Sequence, residues 1–302
     1  MREVTVTNLN KFFGKHHVLK DVSFSFGVGE IVGFIGPNGS GKSTTMKCIA
    51  NLIFPDKNSS IIIAGYDLAK ERNQALRHIS ALIEAPGLYY NLSGMDNLKL
   101  FAALRGVSAK RLDEVIEFSG LGQALKKRAS EYSMGMKQRL ALAIAILPSP
   151  TFLILDEPFS GLDPQGVFDL REVIKGLASS GCGILFSSHQ LLEMEKISSR
   201  NIFIRNGEIV SQEQAQAEAS VRSYRLFIDQ REGDLEILAN LKQAALLEDY
   251  EADAHEVVFT LTDTKHCAEV IAALSSGREI KGIMPLTANI ENVYNSIYKP
   301  GA

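Results

Sequence analysis

Apolar residues fall into short strand-like runs over positions 2–35 and into helical spacing across the middle of the chain. Val4–Thr7, Asp21–Phe26 and Ile31–Ile35 read as strands, with Gly14, Gly27 and Gly29 marking turns. A helix follows a glycine-rich loop and runs to about Leu52, Ile61-Ile62-Ile63 is another strand, and Gly65-Tyr66-Asp67 is a turn. From Ser93 to Ala145 apolar residues recur every three or four positions (Leu98, Phe101, Ala102; Leu112, Val115, Ile116), which predicts helices. Phe152–Leu155 and Gly183–Phe186 are unbroken apolar runs, as in central parallel strands covered on both faces. Between them a helix is predicted from about Gln165 to Ala178, and Asn201–Arg205 with Glu208–Val210 forms a hairpin about Asn206-Gly207.

The polar stretch Ser211–Glu218 lacks apolar periodicity and marks a domain boundary, giving domains 1–215 and 216–302. Beyond it, strands (Tyr224–Ile228, Val257–Leu261, Ile280–Pro285) alternate with helices (Leu235–Leu247, Cys267–Leu274, Ile290–Tyr298), a small α/β or α+β unit. A length of 302 residues suits one large domain plus a smaller one, and no internal repeat is visible.

Composition narrows the class. Hydrophobic residues make up 45% of the chain and charged residues 22%, with a mean hydropathy of +0.02, as in an ordinary water-soluble globular protein. A net charge of −3 argues against bulk nucleic-acid binding. Cys48, Cys182 and Cys267 lie far apart without a C-x-x-C pair, so they read as small core residues in a reducing compartment. Met1–Thr7 alternates like a strand and carries no signal-peptide core. The longest apolar stretch, Leu140–Leu147, stops at Pro148 and is far shorter than the roughly 20 residues of a membrane span. A membrane role would need a span from another chain.

The candidate chemistry begins at Gly36-Pro37-Asn38-Gly39-Ser40-Gly41-Lys42-Ser43-Thr44, a complete G-x-x-x-x-G-K-[ST] loop between a strand and a helix. Its glycines let successive N–H groups curl around a polyphosphate, and the helix N-terminus adds partial positive charge. Lys42 would reach the β- and γ-phosphates and the Ser43 hydroxyl would ligate Mg²⁺. Asp156-Glu157 ends the apolar run 152–155, where open α/β sheets place ligands. Asp156 suits the metal's outer shell, and Glu157 a general base acting on water.

With Glu131-Tyr132-Ser133-Met134-Gly135-Met136-Lys137-Gln138-Arg139, a short way upstream, the chain resembles the nucleotide-binding subunits of ABC transporters. Ser133 and Gly135 match that family's Leu-Ser-Gly-Gly-Gln signature, while Tyr132, Met134 and Met136 depart from it. By the same resemblance Ser160-Gly161-Leu162-Asp163-Pro164 corresponds to the D-loop facing the opposing subunit, and His189 to the switch histidine at the γ-phosphate. Phe13, with Phe12 as the fallback, stands where the family stacks an aromatic ring on adenine. Glu84 takes the place of a Gln that contacts Mg²⁺. Glu84 with Pro86, Tyr89 and Asn97-Leu98 resembles the branch exporting peptide antibiotics, the lantibiotic-immunity and bacitracin-resistance transporters, as does the ending Thr287–Tyr294.

That resemblance, over residues 2–215, implies a P-loop NTPase fold with a mostly parallel central sheet, an antiparallel β subdomain and a helical insert near 90–145. It implies ATP and Mg²⁺ as ligands and a head-to-tail pair of chains. Each ATP would lie between Lys42, Ser43 and Asp156 of one copy and Ser133 and Gly135 of the other. A permease on a separate chain would hold the subunit at the inner face of the membrane, with no nucleic acid involved. Two other readings are an ABC-type ATPase acting on ribosomes or DNA, and a regulatory module that binds nucleotide without hydrolysis. The first typically carries two cassettes or a long coiled insertion, which this chain lacks. Glu157 and His189 argue against the second.

Overall fold

The computed structural model describes residues 2–84, 87–210, 223–229, 231, 233–275, 280–285 and 290–298. The chain forms two compact units, Met1–Val210 and Ser211–Ala302; the boundary expected at 215/216 lies outside the described residues. The first unit opens with β1 (Glu3–Phe13), β2 (His16–Gly27), β3 (Ile31–Ile35), α1 (Lys42–Ile49), β4 (Ser60–Ile63), β5 (Tyr66–Asp67), α2 (Arg72–Arg77) and β6 (Ile79–Leu82). It continues through α3 (Gly94–Arg105), α4 (Ala109–Ser119), α5 (Met134–Ile146), β7 (Phe152–Leu155), α6 (Pro164–Ser179), β8 (Gly183–Ser187), α7 (Leu191–Glu195), β9 (Arg200–Arg205) and β10 (Glu208–Val210).

The apolar runs become the centre of a six-stranded sheet ordered β10-β9-β3-β8-β7-β6. Its pairs are parallel except β10 with β9. β3, β7 and β8 are buried along their whole length, which accounts for their lack of polar alternation. The antiparallel sheet β2-β1-β4-β5 is one-sided instead. Val4, Val6, Leu9, Leu19 and Phe26 point from it into one core with Phe34, Met46, Phe152 and Ile204. Phe26 meets Phe152 edge-on, ring centres 5.5 Å apart. Each such fully buried side chain contributes about 1.5–3 kcal/mol.

One local detail of this unit differs from the sequence reading. Tyr66–Asp67, expected as a turn, is a short strand paired with β4. The turn is Ala64-Gly65, both at positive φ (53° and 89°), as a two-residue hairpin requires. The helical stretch is three helices, with short 3-10 turns at Gly122–Lys126 and Ala129–Glu131 between the last two. Among the described residues no helix is long and apolar enough to cross a membrane.

The second unit contains β11 (Ser223–Phe227), α8 (Asp234–Gln243), β12 (Leu247–Asp253), β13 (Glu256–Leu261), α9 (Cys267–Ser275), β14 (Gly282–Pro285) and α10 (Ile290–Tyr298). Its sheet, ordered β12-β13-β11-β14, is antiparallel throughout. Of α/β and α+β the latter therefore holds, in the β-α-β-β-α-β ferredoxin-like arrangement. Leu226, Val257, Phe259 and Leu261 pack with Leu238 and Leu241 of α8 and Val270 and Leu274 of α9. The helix expected to reach Leu247 ends at Gln243, where Ala245 turns to φ 57° and Leu246 N donates to Leu241 O at 3.0 Å.

Candidate functional site

β3 delivers the chain into the glycine loop, and α1 leaves it. Gly41, immediately before α1, sits at φ 111° and offers no side chain to cap the helix. The first N–H groups of α1 therefore have no side-chain acceptor at that position, the arrangement that suits an anion. The loop is held close from behind. A Cβ on Gly36 would lie 2.5 Å from the Ile204 carbonyl oxygen, and Gly207 N of the β9–β10 hairpin donates to Ser40 O at 3.0 Å. The Ser40 hydroxyl is buried and has no hydrogen-bond partner.

Lys42 is buried, with Nζ donating to the loop's own carbonyls, Gly36 O at 2.6 Å and Pro37 O at 3.1 Å. Burial lowers its pKa, partly offset by the nearby Glu157 and Asp156 carboxylates. The loop lysine and the acidic pair thus share one electrostatic site. Ser43 and Thr44 are half-buried at the start of α1, and Pro37, Asn38 and Gly39 form the bend ahead of them, closed by Ser40 N donating to Pro37 O at 3.2 Å.

Asp156 emerges from β7 nearly buried, and the Ser187 hydroxyl at the end of β8 donates to its Oδ1 at 2.6 Å. Glu157 N donates to the same Ser187 Oγ at 2.9 Å, so one serine ties the two strand ends together. Glu157 adopts φ 51°. Its Oε2 accepts from His189 N at 3.2 Å and lies 2.7 Å from His189 Nδ1. Ser187 was not among the expected residues, although it ends an apolar strand just as Asp156 does.

The signature and D-loop residues form a second group. Ser133 caps α5, accepting from Met136 N at 3.3 Å, and is exposed. A Cβ on Gly135 would meet Leu162 at 3.6 Å, and one on Gly161 would meet Met134 Cγ at 3.1 Å. Asp163 caps α6, its Oδ1 accepting from Gly166 N at 2.9 Å. Tyr132, the departure from the family pattern, is buried and donates to Ala124 O at 2.7 Å.

Two residues singled out in the sequence, Glu84 and Asn97, have partners that the sequence does not reveal. Glu84 lies two positions beyond β6 at φ 64°, and its Oε1 accepts from Lys47 Nζ at 2.5 Å. Asn97, wholly buried on α3, accepts from Tyr89 N at 2.9 Å and donates to Tyr89 O at 3.0 Å and Ser93 O at 2.9 Å. Phe13 ends β1 half-exposed with Lys11 Nζ 5.4 Å from its ring centre, whereas Phe12 stacks on His17 at 3.8 Å.

The oxygen donors Ser43 and Asp156 suit a hard divalent cation. Among the described residues no three His, Cys, Asp or Glu gather into a protein-only metal site. A cation here would draw the rest of its shell from phosphate and water.

The ABC transporter family profile matches residues 19–160. The lantibiotic transport ATP-binding protein SrtF of Streptococcus pyogenes is 41% identical over 205 residues, covering 68% of this chain and 88% of SrtF. The bacitracin transport ATP-binding protein BcrA of Bacillus licheniformis is 37% identical over 211 residues, covering 69% of each. A solved ATP-binding subunit of an ABC transporter superposes with a TM-score of 0.64 at 33% identity, covering 71% of this chain and 92% of that one.

Proposed function

This chain belongs to the ATP-binding proteins of ABC transporters, and on that premise we propose that it powers export of a peptide antibiotic through a separate permease. As a member of the family it binds ATP and hydrolyses it to drive transport. The observation that carries the site assignment is the Glu157 carboxylate gripped twice by His189, with Lys42 at the uncapped start of α1 within electrostatic reach of Glu157 and Asp156.

In this reading Lys42 Nζ leaves the Gly36 and Pro37 carbonyls for the β- and γ-phosphates, and α1 N–H groups bind the same oxygens. Ser43 and Asp156 would hold Mg²⁺, which supplies positive charge to the transferring phosphoryl group. Glu157 Oε2 takes a proton from the attacking water, and His189 keeps that carboxylate oriented. The products are ADP and phosphate. Ser133, Gly135 and Asp163 serve the ATP of a second copy paired head to tail, and Phe13 stacks on the adenine. Gly39, Asn38, Pro37, Ser40 and Thr44 shape the cradle.

The lantibiotic and bacitracin relatives support the cargo class. Supporting the permease is an apolar groove of about 410 Å³ lined by Leu52, Leu76, Ile83, Leu88, Phe101 and Ile144, with Leu52 64% exposed. Such a groove suits an amphipathic helix, and docking there would hold the subunit at the cytoplasmic face of the membrane. Expression with its permease and a lantibiotic challenge tests the reading. We expect co-purification with a polytopic membrane protein and raised resistance that Glu157→Gln abolishes. Recovery with ribosomes instead, or resistance untouched by Glu157→Gln, would overturn it.

A further inference from the structure

The tip of the β9–β10 hairpin bonds to two parts of the nucleotide site at once. Gly207, at φ 83°, donates its N–H to Ser40 O of the phosphate loop at 3.0 Å, and its carbonyl accepts from Lys20 N of β2 at 2.8 Å. The fit against β2 is close, since an added Cβ would lie 2.2 Å from Val18 O. The Lys20 and Glu208 side chains also pair, 3.3 Å apart, in the open. β2 is an outer strand of its sheet and pairs with β1. Toward the end of that pairing Phe13 stands opposite His16, four residues and roughly 13 Å along the strand from Lys20. A single residue thus joins the loop assigned to the phosphates to the strand pair carrying the ring assigned to the base.

We propose that Gly207 is a positioning residue that sets the spacing between the base platform and the phosphate cradle. A nucleotide engages both at once, so its affinity depends on the two standing at the right separation. Inorganic tripolyphosphate engages the cradle alone and does not sense that separation. The two backbone bonds of Gly207 are directional and fix β2 in register with the loop. The apolar approach of Leu19 to Gly41, where an added Cβ would lie 2.6 Å from Leu19 Cδ2, sets only how near they come. This inference rests on the reading that the glycine loop holds the phosphates and Phe13 the adenine.

The test is calorimetric titration with Mg²⁺–ATP and, separately, Mg²⁺–tripolyphosphate. Lys20→Pro deletes the N–H that reaches Gly207 and leaves the Gly207–Ser40 bond in place; an outer strand tolerates proline where that N–H lies outside the ladder. Gly207→Ala drives a methyl group into Val18 O and so disturbs the same spacing by a second route. In either variant the ratio of ATP affinity to tripolyphosphate affinity should fall about fivefold, the low end of what stacking a base on an aromatic ring contributes. Lys20→Ala, which keeps the N–H and loses only the exposed pair with Glu208, should hold the parent ratio. In a Phe13→Ala background Lys20→Pro should lower ATP affinity no further. Equal losses for the two ligands, an unchanged ratio, or a ratio lowered as much by Lys20→Ala as by Lys20→Pro would overturn the spacing role and leave the site assignment intact. A parent that binds neither ligand, or a Phe13→Ala ratio equal to the parent's, would overturn the site assignment and the spacing role with it.

Discussion

His189 Nδ1 and Glu157 Oε2 lie 2.7 Å apart, and the His189 backbone N–H reaches the same oxygen at 3.2 Å. One carboxylate oxygen is thus gripped twice by the loop after β8, while Ser187 fixes the Glu157 backbone and the Asp156 side chain from the same strand. A carboxylate held this way has a set direction before any water arrives, which is what a general base requires.

Glu157→Gln keeps the shape and removes the base. Steady-state turnover should fall about 10²- to 10⁴-fold, the usual contribution of a positioned general base, with ATP affinity retained. ATP should then accumulate in a stable dimer visible by size-exclusion chromatography with light scattering. Turnover at the parent rate would rule out the assignment. His189→Ala should lower kcat with little change in KM, because it loosens Glu157 without touching the phosphate loop.

Lys42 is the ligand-seeking charge of the loop, parked on Gly36 and Pro37 carbonyls. Lys42→Ala removes charge-assisted bonds to phosphate, each worth about 1.5–3 kcal/mol. ATP affinity measured by calorimetry should drop by roughly 10- to 100-fold. An unchanged dissociation constant would show that the phosphates sit elsewhere.

What could be read from the chain follows from how local each feature is. The phosphate loop needs its residues contiguous, so the pattern itself carries the structure from β3 to α1. Asn206-Gly207 fixes its hairpin within two residues, at φ 53° and 83°. β12 was hidden because Glu248, Asp249, Glu251 and Asp253 give an edge strand the composition of a solvated helix end. Lys47–Glu84 and Asp156–Ser187 were hidden for another reason: their partners are 37 and 31 positions apart. No periodicity in the chain encodes such a meeting.

Tyr132 shows how a departure from the signature is accommodated. Its ring fills the space above Gly94, where an added Cβ would overlap the Tyr132 hydroxyl and lie 3.1 Å from Leu125 Cδ2. Gly94→Ala should therefore destabilise the helical insert by about 1–3 kcal/mol, the cost of overpacking. Tyr132→Leu should lose about 1 kcal/mol with its bond to Ala124 O, yet recover part of the Gly94→Ala loss when the two are combined. Urea denaturation of the four proteins measures this coupling, and strict additivity would refute the contact.

The buried cysteines make stability depend on alkaline pH. Burial pushes the Cys48 thiol from 9.0 up to about 12, with Lys11 lowering it and Asp56 raising it more weakly. Burial alone carries Cys182 from 9.0 up to about 11. Both thiols stay neutral in the fold but ionise near 9.0 once the chain unfolds, so above that pH the unfolded state binds fewer protons. Stability then falls as pH rises. The contribution is whole below pH 9.0 and is lost as pH climbs through 11 and toward 12. Urea midpoints should fall between pH 8 and pH 10.5, and fall less steeply in the Cys48→Ala, Cys182→Ala double variant. A residual slope is expected from Tyr132, whose hydroxyl burial also raises above its ordinary value. Equal slopes in parent and double variant would mean that neither thiol is shielded from water.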